Sequence, residues 1–179
     1  MKKITLACFL LAAIATSSYA QDPERKSNIK VNLISPLIKT FSGFYERKIS
    51  PSSSLQLGFS YTGAEIDDVQ LRGWSVTPEF RYYPTKKGAM EGFYAAPFMR
   101  YGNFVVDDQL SKGDLITIGG GLLVGNQWIF AKGISLDTYI GPSYNFGDLK
   151  ITSGYEDPDF PVSMQGFGVR AGVTLGIAF

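Results

Sequence analysis

From Ile29 to the C-terminus the chain is built on a two-residue rhythm. In the last segment Phe167, Val169, Ala171, Val173, Leu175, Ile177 and Phe179 share one phase, while Gly166, Gly168, Arg170, Gly172, Thr174, Gly176 and Ala178 share the other. Trp74, Val76, Pro78, Phe80 and Tyr82 alternate in the same way with Ser75, Thr77, Glu79, Arg81 and Tyr83. Leu55, Leu57, Phe59 and Tyr61 alternate with Gln56, Gly58, Ser60 and Thr62, and Ile134, Leu136, Thr138 and Ile140 with Ser135, Asp137, Tyr139 and Gly141. Successive side chains of a strand point to opposite faces, so this pattern predicts strands with one apolar face. Eight such segments are expected, near residues 29–36, 40–49, 54–62, 72–83, 92–106, 114–128, 133–149 and 164–179. Pro36 either ends the first of these or interrupts it.

The connections alternate in character. Those near 50–53, 84–91 and 129–132 are short or carry lysine, and those near 63–71, 106–113 and 150–163 are longer or acidic. An even number of strands with both termini on the short-turn side closes consistently. Such a sheet can close in two ways. A soluble ligand-binding barrel turns its apolar face inward around a cavity, whereas a membrane barrel turns it outward to lipid and keeps its polar face in the lumen.

Three features favour the second arrangement. The polar phase is rich in glycine, which suits a crowded interior better than a solvated surface. It also carries Glu46, Glu79, Arg81, Arg100, Asp137 and Arg170, an expected interior network in which three acids offset three bases. Finally, Phe167 and Phe179 lie twelve residues apart on the apolar phase with only aliphatic residues between them. That is roughly 40 Å of strand, or about 30 Å of height at a tilt near 40°, as for two aromatic girdles around a hydrocarbon layer. Trp74 and Tyr82 are assigned to the same girdles.

The N-terminus fits this environment. Lys2 and Lys3 precede an apolar run from Ile4 to Ala15, and Ser18-Tyr19-Ala20 offers small residues at a cleavage site. The run is too short for a spanning helix, which needs roughly 20 residues, and Cys8 sits too early to become a lipid-modified first residue. Residues 1–20 are therefore expected to be a signal peptide and 21–179 the barrel. Its removal takes away two lysines and turns a formal charge of +1 into −1. It also removes Cys8, the only cysteine, so the exported part holds together without disulfides. The uncharged run from Leu115 to Ala131 contains Gly119, Gly120, Gly121 and Gly125, each costing roughly 1 kcal/mol relative to alanine in a helix, so a helix there is not expected.

The closing pattern Val173, Leu175, Ile177, Phe179 resembles the assembly signal of small outer-membrane barrels of the OmpA-transmembrane-domain and OmpX-like type. More narrowly, Lys30-Val-Asn-Leu-Ile-Ser, Phe44-Tyr-Glu-Arg and Pro78-Glu-Phe-Arg-Tyr-Tyr-Pro84 resemble a Bacteroidota family of small barrels of unknown function. The resemblance spans essentially the whole mature chain. It implies an all-β, eight-stranded antiparallel up-and-down transmembrane barrel with a filled polar interior, recognised during insertion by the barrel assembly machinery. It brings no catalytic residue.

Composition narrows the chemistry. Charged residues are 18% and aromatics 14% of the chain, which argues against a disordered or acidic-tail protein, and the near-neutral balance gives no footprint for nucleic acid. There is no histidine, so His-based triads and His/Cys zinc sites are excluded. Some eight-stranded outer-membrane barrels modify lipid A, but the enzymes this chain resembles in size use histidine. A hydrolase here would need an Asp or Glu base acting on Ser or water, such as Asp137 with Ser135 or Ser143; the competing reading makes Asp137 a lumen carboxylate held by an arginine. The acids Asp67, Asp68, Asp107, Asp108, Glu156, Asp157 and Asp159 are weak candidates for Ca²⁺ or Mg²⁺, which favour clustered oxygens, but they match no EF-hand spacing. Gly119-Gly120-Gly121 is no phosphate loop, since no Lys-Ser/Thr follows it.

Eight strands enclose a space that side chains can fill, and Tyr83, Tyr94, Phe98 and Phe104 fall on the inward phase. A plugged lumen is expected rather than a wide channel. The expected function is a non-enzymatic, integral outer-membrane barrel of a Gram-negative cell, with a structural or surface-interaction role. The alternatives are a small transport or ligand-binding barrel and, third, a lipid-modifying enzyme. Outer-membrane lipid and lipopolysaccharide are its expected surroundings, and no cofactor is expected.

Overall fold

A computed structural model describes residues 25–66, 69–85, 87–107, 111–154 and 166–179. The expected signal peptide thus lies outside the described residues. Eight strands form one closed antiparallel barrel in which each is bonded to its sequence neighbours and β1 to β8. They are β1 (Ser27–Asn32), β2 (Thr40–Ser50), β3 (Ser53–Ile66), β4 (Val69–Tyr82), β5 (Gly92–Asp107), β6 (Ser111–Ile129), β7 (Ile134–Gly154) and β8 (Gly166–Ala178). The termini meet at the short-turn end, where Phe179 O accepts from the amides of Lys26 and Ser27 and Phe179 N donates to Ser27 O. Closure leaves no exposed sheet edge, which is what a barrel in hydrocarbon requires.

Pro36 ends the first strand. Asn32 Oδ1 accepts from the amides of Ile34 at 2.8 Å and Ser35 at 3.1 Å. The chain then makes a 3₁₀ turn over Ser35–Ile38, where Pro36 needs no donor of its own. At the same end the strands run further than the apolar rhythm suggests. Gly63–Ile66, expected in a loop, pairs with Val69–Arg72. The rhythm stops where the apolar belt stops, but backbone groups still need partners and the neighbouring strand supplies them.

The phases separate as the alternation predicts. Outward on β3 are Leu55, Leu57, Phe59 and Tyr61, while Gln56 and Ser60 are buried. Register gathers the outward aromatics into bands: Phe41 pairs with Tyr61 and Tyr61 with Trp74, and the band continues through Tyr101, Phe146 and Phe167. Tyr82, Phe93, Trp128, Phe130 and Phe179 are outward near the short-turn end. Of the four expected girdle residues, Trp74 and Phe167 thus fall in the loop-end band and Tyr82 and Phe179 near the turns.

Inward glycines make room for large neighbours. A Cβ on Gly172 would lie 2.5 Å from the Tyr139 ring, and one on Gly125 would lie 2.5 Å from that of Tyr94. Tyr83, Tyr94, Ala96, Phe98, Leu123 and Tyr139 form one buried cluster in the lumen. The β4–β5 connection folds under it. Ala89 N donates to Pro51 O at 2.7 Å, and Met90 is 1% exposed beneath the polar interior.

One seam is discontinuous. β4 and β5 pair at every position from Gln70 to Val76, then only at Glu79↔Phe98 and Tyr82↔Ala95. Pro78 and Pro97 stand on the two sides of that stretch. Proline supplies no amide to a ladder, and β3–β4 and β5–β6 remain paired past the same residues. A groove of about 520 Å³ on the outer wall, lined by Leu55, Leu57, Pro78, Phe80, Pro97 and Met99, marks the gap.

Candidate functional site in the lumen

Four strands converge their inward side chains on one ion cluster near the short-turn end. Lys30 comes from β1, Glu46 from β2, Glu79 and Arg81 from β4, and Asp137 from β7; each of these side chains is fully buried. Lys30 Nζ donates to Glu46 Oε2 at 2.7 Å, to Gln127 Oε1 at 2.8 Å and to Asp137 Oδ2 at 3.1 Å. Arg81 donates through Nη1 to Asp137 Oδ2 at 2.7 Å and through Nη2 to Glu79 Oε2 at 3.1 Å. Its guanidinium carbon lies 4.3 Å from the centre of the Tyr94 ring.

Neutral groups complete the network. Ser54 and Tyr83 donate to Glu46 Oε1 at 2.5 and 2.7 Å, and Tyr94 donates to Asp137 Oδ1 at 2.8 Å. Gln127 Nε2 donates to Met90 O at 2.6 Å, tying the cluster to the connection that closes the barrel floor. Isolated buried charges cost several kcal/mol each, so the cluster is tolerable only because nearly every lone pair and proton has a partner.

The network differs from the expected set in two respects. Lys30 belongs to it, so that Lys30, Arg81, Arg100 and Arg170 share the interior with Glu46, Glu79 and Asp137. Its signal was present in the phase Asn28, Lys30, Asn32 of β1, opposite Ile29 and Val31. Arg100 stands apart from the carboxylates: its hydrogen bond among the described residues goes to Ser75 Oγ, which accepts from Nε at 3.3 Å. Replacing Arg100 would therefore take a hydrogen bond from no described carboxylate. Arg170 does reach one, with Nη2 2.9 Å from Glu79 Oε1, close as an ion pair though not aligned as a hydrogen bond.

Above the cluster lies a second compartment of about 300 Å³, with Arg100, Arg170, Tyr139, Ser143 and Asn145 on its walls and Ile34, Ser35 and Ile38 at its loop-end rim. Arg170 packs its guanidinium over the rings of Phe98 at 4.7 Å and Tyr139 at 5.4 Å.

The other candidates fall elsewhere. Asp137 is buried among two cations and a tyrosine. Ser135 instead donates to Asn28 Oδ1 at 3.0 Å, and Ser143 lies in the upper compartment. No serine hydroxyl is bonded to Asp137 among the described residues. Asp107 pairs with Lys112 at 3.0 Å across the β5–β6 ladder. Asp67, Asp68, Asp108, Glu156, Asp157 and Asp159 lie outside the described residues. Among the described residues, no group of three His, Cys, Asp or Glu side chains is placed to hold a metal.

Comparison with known proteins agrees with the architecture. Residues 5–150 match the family described as "Protein of unknown function (DUF3575)". The fold is similar to the N-terminal β-barrel domain of Pseudomonas aeruginosa OprF, with a TM-score of 0.52 at 14% identity over 87% of this chain and 98% of that one. It is equally similar to a major outer membrane protein from Thermus thermophilus, with a TM-score of 0.52 at 17% identity over 86% of this chain and 99% of that one. No curated protein matches the sequence. The fold is that of eight-stranded outer-membrane barrels.

Proposed function

This chain belongs to the DUF3575 family of proteins of unknown function, and we propose that it is a non-enzymatic integral barrel of a Gram-negative outer membrane. In this reading residues 1–20 are a cleaved export signal, and residues 21–179 insert with help from the barrel assembly machinery. The role is structural or surface-interacting, with lipid and lipopolysaccharide around the outward belt. The observation that carries it is the filled floor of the lumen: Lys30, Glu46, Glu79, Arg81 and Asp137 bonded to one another, with Met90 beneath them. A barrel obstructed in this way holds its shape and offers its ends, rather than its axis, to other molecules.

Absence of catalysis is part of the proposal. Asp137, the carboxylate weighed as a possible base, is already engaged by Lys30, Arg81 and Tyr94. The ligand-binding alternative is favoured by one observation, the arginine-lined compartment at the loop end.

Outer-membrane fractionation with a heat-shift gel tests the location, and planar-bilayer recording tests the closed floor. Expected are a membrane-extracted band whose migration changes on boiling and no stable nanosiemens-scale conductance. A soluble, heat-insensitive band would overturn the location, and a stable open state would overturn the plugged lumen.

A further inference from the structure

We propose that the loop-end compartment binds an oxyanion, a carboxylate or phosphate group, between the guanidinium groups of Arg100 and Arg170. The inference rests on the geometry of the lumen and holds whether the barrel as a whole is structural or surface-interacting.

The two halves of the lumen are unequal in charge. The lower half pairs its cations closely: Lys30 has two carboxylates within 3.1 Å, and Arg81 has Asp137 and Glu79 within the same distance. The upper half has arginines without matching acids. Glu79 serves both Arg81 and Arg170, and Arg100 is hydrogen-bonded to the Ser75 hydroxyl rather than to a described carboxylate. Both guanidinium-bearing residues, Arg100 and Arg170, line the same cavity. Two like charges in a protein-lined cavity are a cost that a bound anion removes.

Hydrogen bonding points the same way. Arg170 Nη1 is buried without a hydrogen-bond partner, an unused donor on a residue that lines the cavity. Guanidinium groups present fixed forks of donors that match the oxygens of carboxylate and phosphate, which makes them the preferred side chains for such groups. Phe98 and Tyr139 place their rings 4.7 and 5.4 Å from the Arg170 guanidinium carbon and supply no hydrogen-bond acceptor to its buried Nη1. The remaining wall suits the uncharged part of a small polar molecule, with the Ser143 hydroxyl and the Asn145 amide beside the arginines. About 300 Å³ is at the lower end of small-ligand sites, enough for one acidic group and a small body attached to it.

The test is calorimetric titration of the folded mature protein in nonionic detergent, at constant ionic strength in sodium chloride. Inorganic phosphate and glucuronate are titrated in separate arms, to distinguish a phosphate source from an acidic sugar. The wild type is expected to bind at least one of them saturably with one site per chain. Arg100→Gln is expected to weaken that binding at least tenfold while keeping its heat-shifted migration, because Arg100 holds no described carboxylate. Arg170→Lys, which retains a charge for Glu79 but loses the fork, is expected to weaken it as well. No binding of either anion above the chloride background, or equal binding by Arg100→Gln, would overturn the proposal.

Discussion

Asp137→Asn isolates the electrostatics of the lumen with almost no change in shape. The carboxylate accepts from Arg81 at 2.7 Å, Tyr94 at 2.8 Å and Lys30 at 3.1 Å, and the side chain is fully enclosed. The amide keeps one oxygen but removes the charge that offsets two cations, and its NH₂ would face donors. Removing one partner of a buried ion pair costs about 3–5 kcal/mol, chiefly through the charge left behind. With a urea slope of about 1–3 kcal/mol per molar, the midpoint should fall by roughly 1–5 M. The assay is urea unfolding of the barrel in lipid vesicles, followed by tryptophan fluorescence and heat-shifted migration. Adding Lys30→Gln removes one of the stranded cations, while Arg81 retains Glu79 at 3.1 Å and Glu46 at 3.8 Å. The double variant should therefore lose at least about 1 kcal/mol less than the two single losses combined, as expected for coupled neighbours. An unfolding free energy for Asp137→Asn within about 0.5 kcal/mol of wild type, the range of ordinary surface changes, would refute the reasoning.

Three other outcomes follow from particular positions. Gly172→Val should lower the stability measured in urea by about 1–3 kcal/mol, because a Cβ there meets the Tyr139 ring at 2.5 Å, whereas Gly63→Ala, with no atom within 4 Å, should be near neutral. Pro78→Val combined with Pro97→Val should return amides to the β4–β5 seam, slowing exchange of neighbouring amides and adding about 0.5–1.5 kcal/mol per bond formed; unchanged exchange would mean that the prolines are not what opens it. Deleting Phe179 removes the backbone bonds to Lys26 and Ser27 that help close β8 on β1. It should reduce the heat-modifiable form in cells, and wild-type levels of that form would count against its part in assembly.

The architecture was largely legible because a barrel wall repeats one simple constraint. Every second residue must tolerate the lumen, so period-two patterning survives in Leu55–Tyr61, Trp74–Tyr82 and Phe167–Phe179 alike. What escaped the pattern involved relations between strands. Arg100 and Arg170 share a phase with Glu79, yet phase says nothing of height along the axis, and register brings only Arg170 to that carboxylate. Lys30 lies in the shortest strand, whose six residues offer little alternation to read. The Met90 floor was equally hidden: a positive φ of 75° and a carbonyl aimed at Gln127 leave no trace in hydrophobicity. The β4–β5 gap had a sequence signal in Pro78 and Pro97, but only register shows that the two prolines flank one seam.

Loss of Cys8 with the expected signal would leave the mature chain free of cysteine, so a single introduced thiol can report on its surroundings. A fluorophore attached at Leu57, Ile140 or Leu175, and separately at Ser60 or Thr174, measures directly which face meets hydrocarbon. In vesicles containing spin-labelled lipid, the first three positions should be strongly quenched and the last two should not. Equal quenching on both faces, or a labelled protein that stays dispersed in water without detergent, would contradict the outward placement of the apolar side chains.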